Sequence, residues 1–295
     1  MPGMNILVTG GTGFIGTALV AKLAAAGHEV LVWSRNPVRA AQILPGAQVV
    51  DALFRVDEVA VDAVVNLAGA PIAAARWSDK RKAELRKSRV DLTRHLVDWL
   101  EDSGQKPKVL VSASAVGYYG DQGDNEVVIS TPPASDFAHE LCRDWEAAAH
   151  DDGLDCRVCI MRLGVVLGRG GALAKLLPVY KMGLGGIIGN GRQWLPWVHR
   201  DDAVAMIVHA LGDESCNGAY NIVAPGVVRQ KDFSRELAAL LGRPRLTWAP
   251  AWVLRAALGE MAVLLVGGQR IVDGGMPGYA FAHEKLAPAL RDAAG

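Results

Sequence analysis

Cysteine is scarce. Four residues in 295 are too few to staple a disulfide scaffold, so the chain has to be held by a hydrophobic core. Net charge is missing too: 31 Lys+Arg meet 31 Asp+Glu, so no global field draws the molecule to a polyanion. A nucleic-acid or anionic-membrane partner would need a local basic patch, and neither partner is expected. The N-terminus enters MNILVTG without the charged start and apolar stretch of a secretion signal, which predicts a reduced, cytoplasmic protein. No run is long and apolar enough to span a bilayer: Ala249 to Gly267 carries Arg255 and Glu260 and is interrupted by Pro250 and Gly259. Apolar positions between Trp248 and Gly259 recur at helical spacing, predicting an amphipathic helix docked on a core. Phosphate-loop Gly-Lys-Ser/Thr, the metalloprotease helix motif and Gly-x-Ser-x-Gly are absent, and hydrolase and kinase readings lapse. Cys156 and Cys159 spell C-x-x-C, but they lie three apart in a strand pattern and point to opposite faces; no metal is expected.

What is present reads as an α/β protein. Hydrophobic residues make up 51%, and a chain of this length buries about three quarters of its unfolded surface. Short β-branched runs alternate with helical patterns, as parallel strands covered on both faces by crossover helices require. The strands predicted are Asn5 to Thr9, Glu29 to Ser34, Gln48 to Asp51, Ala63 to Leu67, Val109 to Ala113 and Arg157 to Arg162. One helix follows Gly13 and closes on Gly27; another starts at Ser78 and Asp79 and runs to about Asp102, closing on Gly104. After Arg162 the texture changes, with Gly-rich stretches at Gly164 to Gly171 and Gly183 to Gly191, a helix from Arg200 to Leu211 and a strand at Asn217 to Val223. Helical patterns then cover Gln230 to Leu241 and the segment from Trp252 onward. The expected architecture is a Rossmann-type doubly wound parallel sheet over residues 1–165, with a returning segment at about 200–228. A smaller, mostly helical substrate-capping region takes 166–199 and 229–295.

The strongest functional signal is VTGGTGFIG at Val8 to Gly16, because it follows a strand and opens a helix. Gly10 lets the chain turn, Gly13 lets backbone N–H groups approach a pyrophosphate and Gly16 lets the helix lie close on the strand. Thr12, Phe14 and Ile15 complete the loop and helix start, where the helix dipole favours an anion. At the end of the second strand, VLVWSRNP carries Ser34 and Arg35 where NAD binders place an acid. A guanidinium can grip a 2′-phosphate that a carboxylate would repel, so NADP is favoured over NAD.

With NLAG at Asn66 to Gly69, VSASAVGYYG at Val111 to Gly120 and GNGRQWLPWVHRDDA at Gly189 to Ala203, the chain resembles the extended branch of the short-chain dehydrogenase/reductase superfamily. RWSDKRKAELRKSRV, LCRDWE and LGEMAVLLVGGQR are similar to its atypical "epimerase family protein" subgroup, and the resemblance covers essentially the whole chain. It implies that Gly10, Gly13 and Gly16 hold the pyrophosphate, that Asn66, Ala68 and Gly69 lie along the adenosine side of the cofactor, and that the Ser114 hydroxyl contacts a substrate carbonyl.

The usual engine of that superfamily, Tyr with Lys four residues later, is missing. Position i+4 is Gln122, Gly123, Leu184, Ala224 or His283 for Tyr118, Tyr119, Tyr180, Tyr220 and Tyr279. The helix expected about 25 residues past Ser114 reads SDFAHELCRDWEAAA and offers Phe137, His139, Glu140, Cys142 and Arg143. Three readings stand: Tyr118, Tyr119 or His139 moves the proton in an NADP-dependent oxidoreductase; the chemistry needs no phenol; or the protein binds NADP without catalysis, as a sensor or scaffold, a reading that touches the cell-division label some members carry. On the substrate side, aligning on His199 places Leu195 where sugar-nucleotide enzymes carry an arginine, with Arg192 and Arg200 nearby. Trp194 and Trp197 would offer a flat or apolar ligand an aromatic pair, or would be core. Arg89 and Arg76 would make the pocket electropositive, or belong to a solvated face. The partner expected is a small molecule acting on a monomer or homodimer.

Overall fold

Val, Ile and Leu at alternate positions, apolar on both faces, form the central sheet of the computed structural model, which describes residues 3–150 and 153–295. Its seven strands are β1 (Asn5–Thr9), β2 (Glu29–Trp33), β3 (Gln48–Val50), β4 (Ala63–Asn66), β5 (Val109–Ala115), β6 (Arg157–Leu163) and β7 (Gly218–Ile222). They pair in parallel in the order 3-2-1-4-5-6-7. Successive side chains leave opposite faces of a strand, and the core divides accordingly. Ile6, Val8, Val32, Val65 and Val111 pack on one face with Leu19, Leu23 and Ile207. Leu7, Leu31, Val64, Leu110 and Ile160 pack on the other with Leu96, Leu100 and Ala149. Strand order reverses between β1 and β4, which opens the crevice beyond their C-terminal ends.

The crossover helices are α1 (Phe14–Ala25), α2 (Pro37–Ile43), α3 (Asp79–Arg86), α4 (Leu92–Asp102), α5 (Phe137–Ala149), α6 (Gly171–Lys181) and α7 (Arg200–Gly212). α1 ends where Gly27 takes a left-handed φ of +83°. Ser78 caps α3 by accepting from the Arg81 N–H. The single helix expected from Ser78 to about Asp102 is interrupted by a π turn, Lys87–Asp91, a feature the apolar spacing does not announce. β5 and β6 run further than expected because their ladder continues through Ser114↔Arg162 and Ala115↔Leu163.

α8 (Gln230–Leu240), α9 (Ala251–Leu258), α10 (Val263–Val266) and α11 (Leu286–Ala294) follow β7. α11 and α8 build a further core with Leu173, Tyr180 and Trp197. Two expectations here are corrected. Trp248 lies in a short strand, Thr247–Ala249, paired with Gly186–Ile188; Pro250 precedes the helix, since its fixed φ suits a helix start and its missing N–H ends a ladder. α9 leaves most of its surface in solvent and docks through Leu258, which packs on the core of Trp77, Leu85 and Phe137. Beyond α10 the helical expectation also fails, as the chain passes through a strand at Arg270–Ile271 before α11. Among the described residues no helix is long and apolar enough to cross a membrane, and all four cysteines are free.

Candidate functional site

The glycine loop lies at the C-terminal end of β1, over the crevice. Gly10 has φ +67°, and a Cβ there would stand 2.6 Å from the Leu67 backbone. A Cβ on Gly16 would fall on the Gly10 carbonyl oxygen. The Gly13 N–H donates to that same oxygen at 2.9 Å. Gly13 is the N-cap of α1 and supplies no side-chain cap, and the first turn holds no acid, so the amide donors at this positive helix end are free of a protein anion. Thr12 and Gly13 are exposed. The side chains of Phe14 and Ile15 do other work: Ile15 packs on the sheet core, and the Phe14 ring lies against Gly168, Gly170 and Gly171, where any Cβ would come within 2.9 Å of it. This geometry could hold an anion such as a pyrophosphate.

At the end of β2, the Ser34 N–H donates to the Val50 carbonyl and its hydroxyl accepts from the Asn36 N–H at 3.3 Å. Asn36 caps α2 by accepting from Arg39 N–H. Arg35 is exposed and, among the described residues, has no ion pair or hydrogen bond, so its guanidinium is free to meet an anion.

β4 ends in a strut. Asn66 is fully buried; its amide oxygen accepts from Thr9 Oγ1 at 2.6 Å, and its Nδ2 donates to Thr93 Oγ1 at 2.8 Å and Ser112 Oγ at 3.2 Å. Trp145 Nε1 donates to the same Thr93 oxygen. Thr9 Oγ1 in turn accepts from the Ala68 N–H. Asn66 is thus tied to three elements, β1, α4 and β5, and through Thr9 to the Ala68 N–H. Of the two places expected for Arg89, the solvated face is corrected: Arg89 lies against the Gly69–Ala70 segment. The π turn aims it back so that Nη2 donates to the Ala70 carbonyl at 2.9 Å, with the guanidinium 5.2 Å from the Trp145 ring centre. A Cβ on Gly69 would meet it at 2.9 Å. Burial lowers its pKa, without discharging a guanidinium at neutral pH.

Past β5 the side chains form one continuous chain of bonds. Ser114 Oγ donates to Glu146 Oε1 at 2.6 Å. Glu146 grips Arg162 with both oxygens, at 2.9 Å to Nε and 2.8 Å to Nη2. Arg162 Nη1 donates to Tyr119 Oη at 3.0 Å, Tyr119 donates to Asn221 Oδ1 at 2.9 Å, and Asn221 Nδ2 donates to Asp273 at 2.8 Å. Ser114, Glu146, Arg162, Tyr119 and Asn221 are all buried. Tyr119 is consequently no proton donor to a substrate: burial raises its pKa, and its hydroxyl is spent between β6 and β7. Tyr118 differs. It is half-buried, its ring centre lies 3.4 Å from the Arg162 guanidinium carbon, and its phenol has no hydrogen-bond partner among the described residues. His139 Nδ1 lies 2.7 Å from the Tyr118 carbonyl; a carbonyl only accepts, so that nitrogen carries the proton. One turn before Glu146, the buried Cys142 thiol is pushed up to about 12, first by burial and then by Glu146, which leaves it inert as a nucleophile.

Glu146 and Arg162 are the residues the sequence reading missed. The available signal was a carboxylate on the inward face of an otherwise apolar α5, in LCRDWE, together with an arginine ending a buried strand. A charge in either place needs a partner.

The proposed substrate-side residues do not converge. Trp197 is fully buried in the core beneath α8 and α11, its Nε1 donating to the Gly226 carbonyl. Trp194 faces another way, held by Asp124 with the Arg229 guanidinium 4.3 Å from its ring centre. Three positions along extended chain send side chains to opposite sides, so the aromatic pair does not form. His199 is buried too, capping α7 through Asp201 N–H and stacked on His283 at 3.8 Å between ring centres.

Comparison with known proteins agrees with this framework. The model of the NAD dependent epimerase/dehydratase family matches residues 6–223, and a domain of unknown function, DUF1731, matches 249–273. An epimerase family protein homolog, chloroplastic, from Arabidopsis thaliana is 39% identical, the match covering 98% of this chain and 86% of the relative. The epimerase family protein YfhF of Bacillus subtilis is 36% identical over 97% of each chain. A crystal structure of the human epimerase family protein SDR39U1 with NADPH superposes with a TM-score of 0.87 at 36% identity, covering 99% of both chains. A UDP-glucuronic acid 4-epimerase from Bacillus cereus, at 17% identity and TM-score 0.78, shares the fold. The chain belongs to the NAD dependent epimerase/dehydratase family, among the epimerase family proteins of the atypical extended short-chain dehydrogenase/reductase group.

Proposed function

We propose that this protein binds NADP(H) in the crevice between β1 and β4 and works as an oxidoreductase on a carbonyl or hydroxyl compound. The observation that carries the reading is the uncapped start of α1 behind the Gly10 to Gly16 loop, with the unpaired Arg35 at the end of β2. The loop amides from Thr12 to Gly16 take the pyrophosphate, Ser34 and Arg35 take the 2′-phosphate, and the Ala68 to Gly69 backbone borders the adenosine side. NADPH bound in the human relative supports the same choice. The cofactor supplies hydride transfer. This chain supplies orientation and the proton.

For the proton, Tyr118 is the group that fits. A carboxylate can only accept, so the single Ser114 proton goes to Glu146. Ser114 is left as an acceptor and cannot polarise a carbonyl by donating to it. The Tyr118 phenol lies beyond the C-terminal end of β5, where ligands of open α/β sheets bind, and the Arg162 guanidinium under its ring steadies the phenolate formed when Oη gives up its proton. The test is a titration with NADPH followed by a screen of carbonyl compounds for loss of absorbance at the nicotinamide band. Turnover that Tyr118→Phe lowers by about a hundredfold or more is expected; turnover that it leaves unchanged removes Tyr118 from the chemistry.

The closed Ser114–Glu146 pair also favours a second reading, a sensor or scaffold that holds NADP without turning it over. Tight NADPH binding with no turnover across the screen would select it.

A further inference from the structure

Zero net charge over the whole chain conceals a local excess. Residues 171–189 and 243–259 contain Lys175, Lys181, Arg243, Arg245 and Arg255 and no Asp or Glu. The fold brings the two segments together. Gly186–Ile188 pairs in parallel with Thr247–Ala249, and Thr247 Oγ1 donates to the Leu184 carbonyl at 2.7 Å. All five cations are exposed and, among the described residues, none pairs with a carboxylate. The same two segments carry large apolar side chains with most of their surface in water: Met182 is 65% exposed, Leu246 79%, Trp248 67% and Trp252 72%. Leu184 joins them at 51%. α9, which carries Trp252 and Arg255, leaves both of them in solvent, while Leu258 at its C-terminal end packs on a core.

We propose that this face docks on an anionic lipid surface as a peripheral contact. Charge complementarity selects the partner. Lysine and arginine heads reach phosphate groups while their stems lie along apolar neighbours, and indoles settle at headgroup depth, where one edge is wet and the other apolar. The aliphatic Met182, Leu184 and Leu246 fit the acyl boundary and give a phosphodiester strand nothing to bind. A second copy, met face to face about a two-fold axis, would set cations against cations with no acid in either segment to relieve them. α9 has eight residues, about 12 Å of helix, a length that lies in the headgroup plane and does not cross it. The expectation of no membrane partner, drawn from net charge, allows for a local basic patch, and this face is such a patch.

The experiment is co-flotation of the full-length protein with vesicles of phosphatidylcholine alone or phosphatidylcholine with phosphatidylserine, with tryptophan emission recorded in parallel. Binding to the serine-containing vesicles, a blue-shifted emission and loss of binding as salt rises are expected. The double variants Leu246→Ser/Trp252→Ser and Arg243→Glu/Arg245→Glu should each weaken partitioning at least tenfold, with circular dichroism and thermal midpoint showing that both fold. Equal or absent binding to the two vesicle types overturns the proposal. So does a concentration-dependent dimer that the same variants abolish, or binding of a single-stranded oligonucleotide without binding of vesicles.

Discussion

Arg35 and Glu146 represent two ways of using a charge, one left open for a ligand and one closed within the protein. Arg35→Ala removes charge-assisted bonds to a 2′-phosphate worth about 1.5–3 kcal/mol, so NADPH affinity should fall roughly ten- to a hundredfold while NADH affinity stays within about twofold; equal losses in parallel titrations would remove the 2′-phosphate from Arg35. Glu146→Ala leaves Arg162 buried without its carboxylate and should cost about 3–5 kcal/mol, read as a lowered midpoint in denaturant. Replacing both charges, Glu146→Leu with Arg162→Met, should recover most of that loss, because the desolvation cost of the pair goes with its attraction. Neither residue was legible as a partner of the other in the sequence. They stand on α5 and β6, and only the docking of helix on sheet brings them to 2.8 Å.

At the scale of elements, legibility followed sequence distance. α1 and the strands of the first half carry their own periodicity and punctuation, with Gly27 at left-handed φ and Ser78 at a cap. The strand holding Trp248 does not, because its partner lies some sixty residues earlier; strand propensity is decided by the neighbour it pairs with. The π turn was silent for a related reason, since the contact that Arg89 makes from it is with Ala70, nineteen residues earlier. The glycines separate binding from stability. Gly16→Ala places a methyl on the Gly10 carbonyl and should weaken NADPH roughly tenfold or more by displacing the loop. Gly27→Ala meets open space but forces a side chain into left-handed φ, costing about 1–2 kcal/mol and sparing NADPH affinity. A Gly16→Ala protein with unchanged affinity would separate the loop's shape from its role.

For the molecule as a whole, Asp202 is the tie between the sheet half and the C-terminal tail. Burial pushes its carboxyl up, but hydrogen bonds from Tyr279, Ala282 and His283 outweigh this and hold it below the usual aspartate value. A folded pKa below the unfolded one, near 3.9, contributes stability that is present above about pH 4 and is lost as pH falls through the folded value. Unfolding free energy measured from pH 6 to pH 3 should therefore drop at the acid end, and Asp202→Asn should flatten that drop while lowering stability at pH 6.

β7 has a further consequence, for the order in which the chain is made. The seventh strand is contributed by Gly218–Ile222, far beyond the sixth, so a nascent chain carries β6 as a bare edge until residue 222 has left the ribosome. That edge reads RVCIMRL, with an apolar stretch Val158–Met161 between its two arginines, the kind of template that recruits strands from other chains. A fragment ending near residue 165, although it holds the entire glycine loop, should accordingly aggregate when expressed alone. A fragment ending at residue 223 closes the sheet, and the difference in yield between the two would measure how much one late strand protects the rest during synthesis.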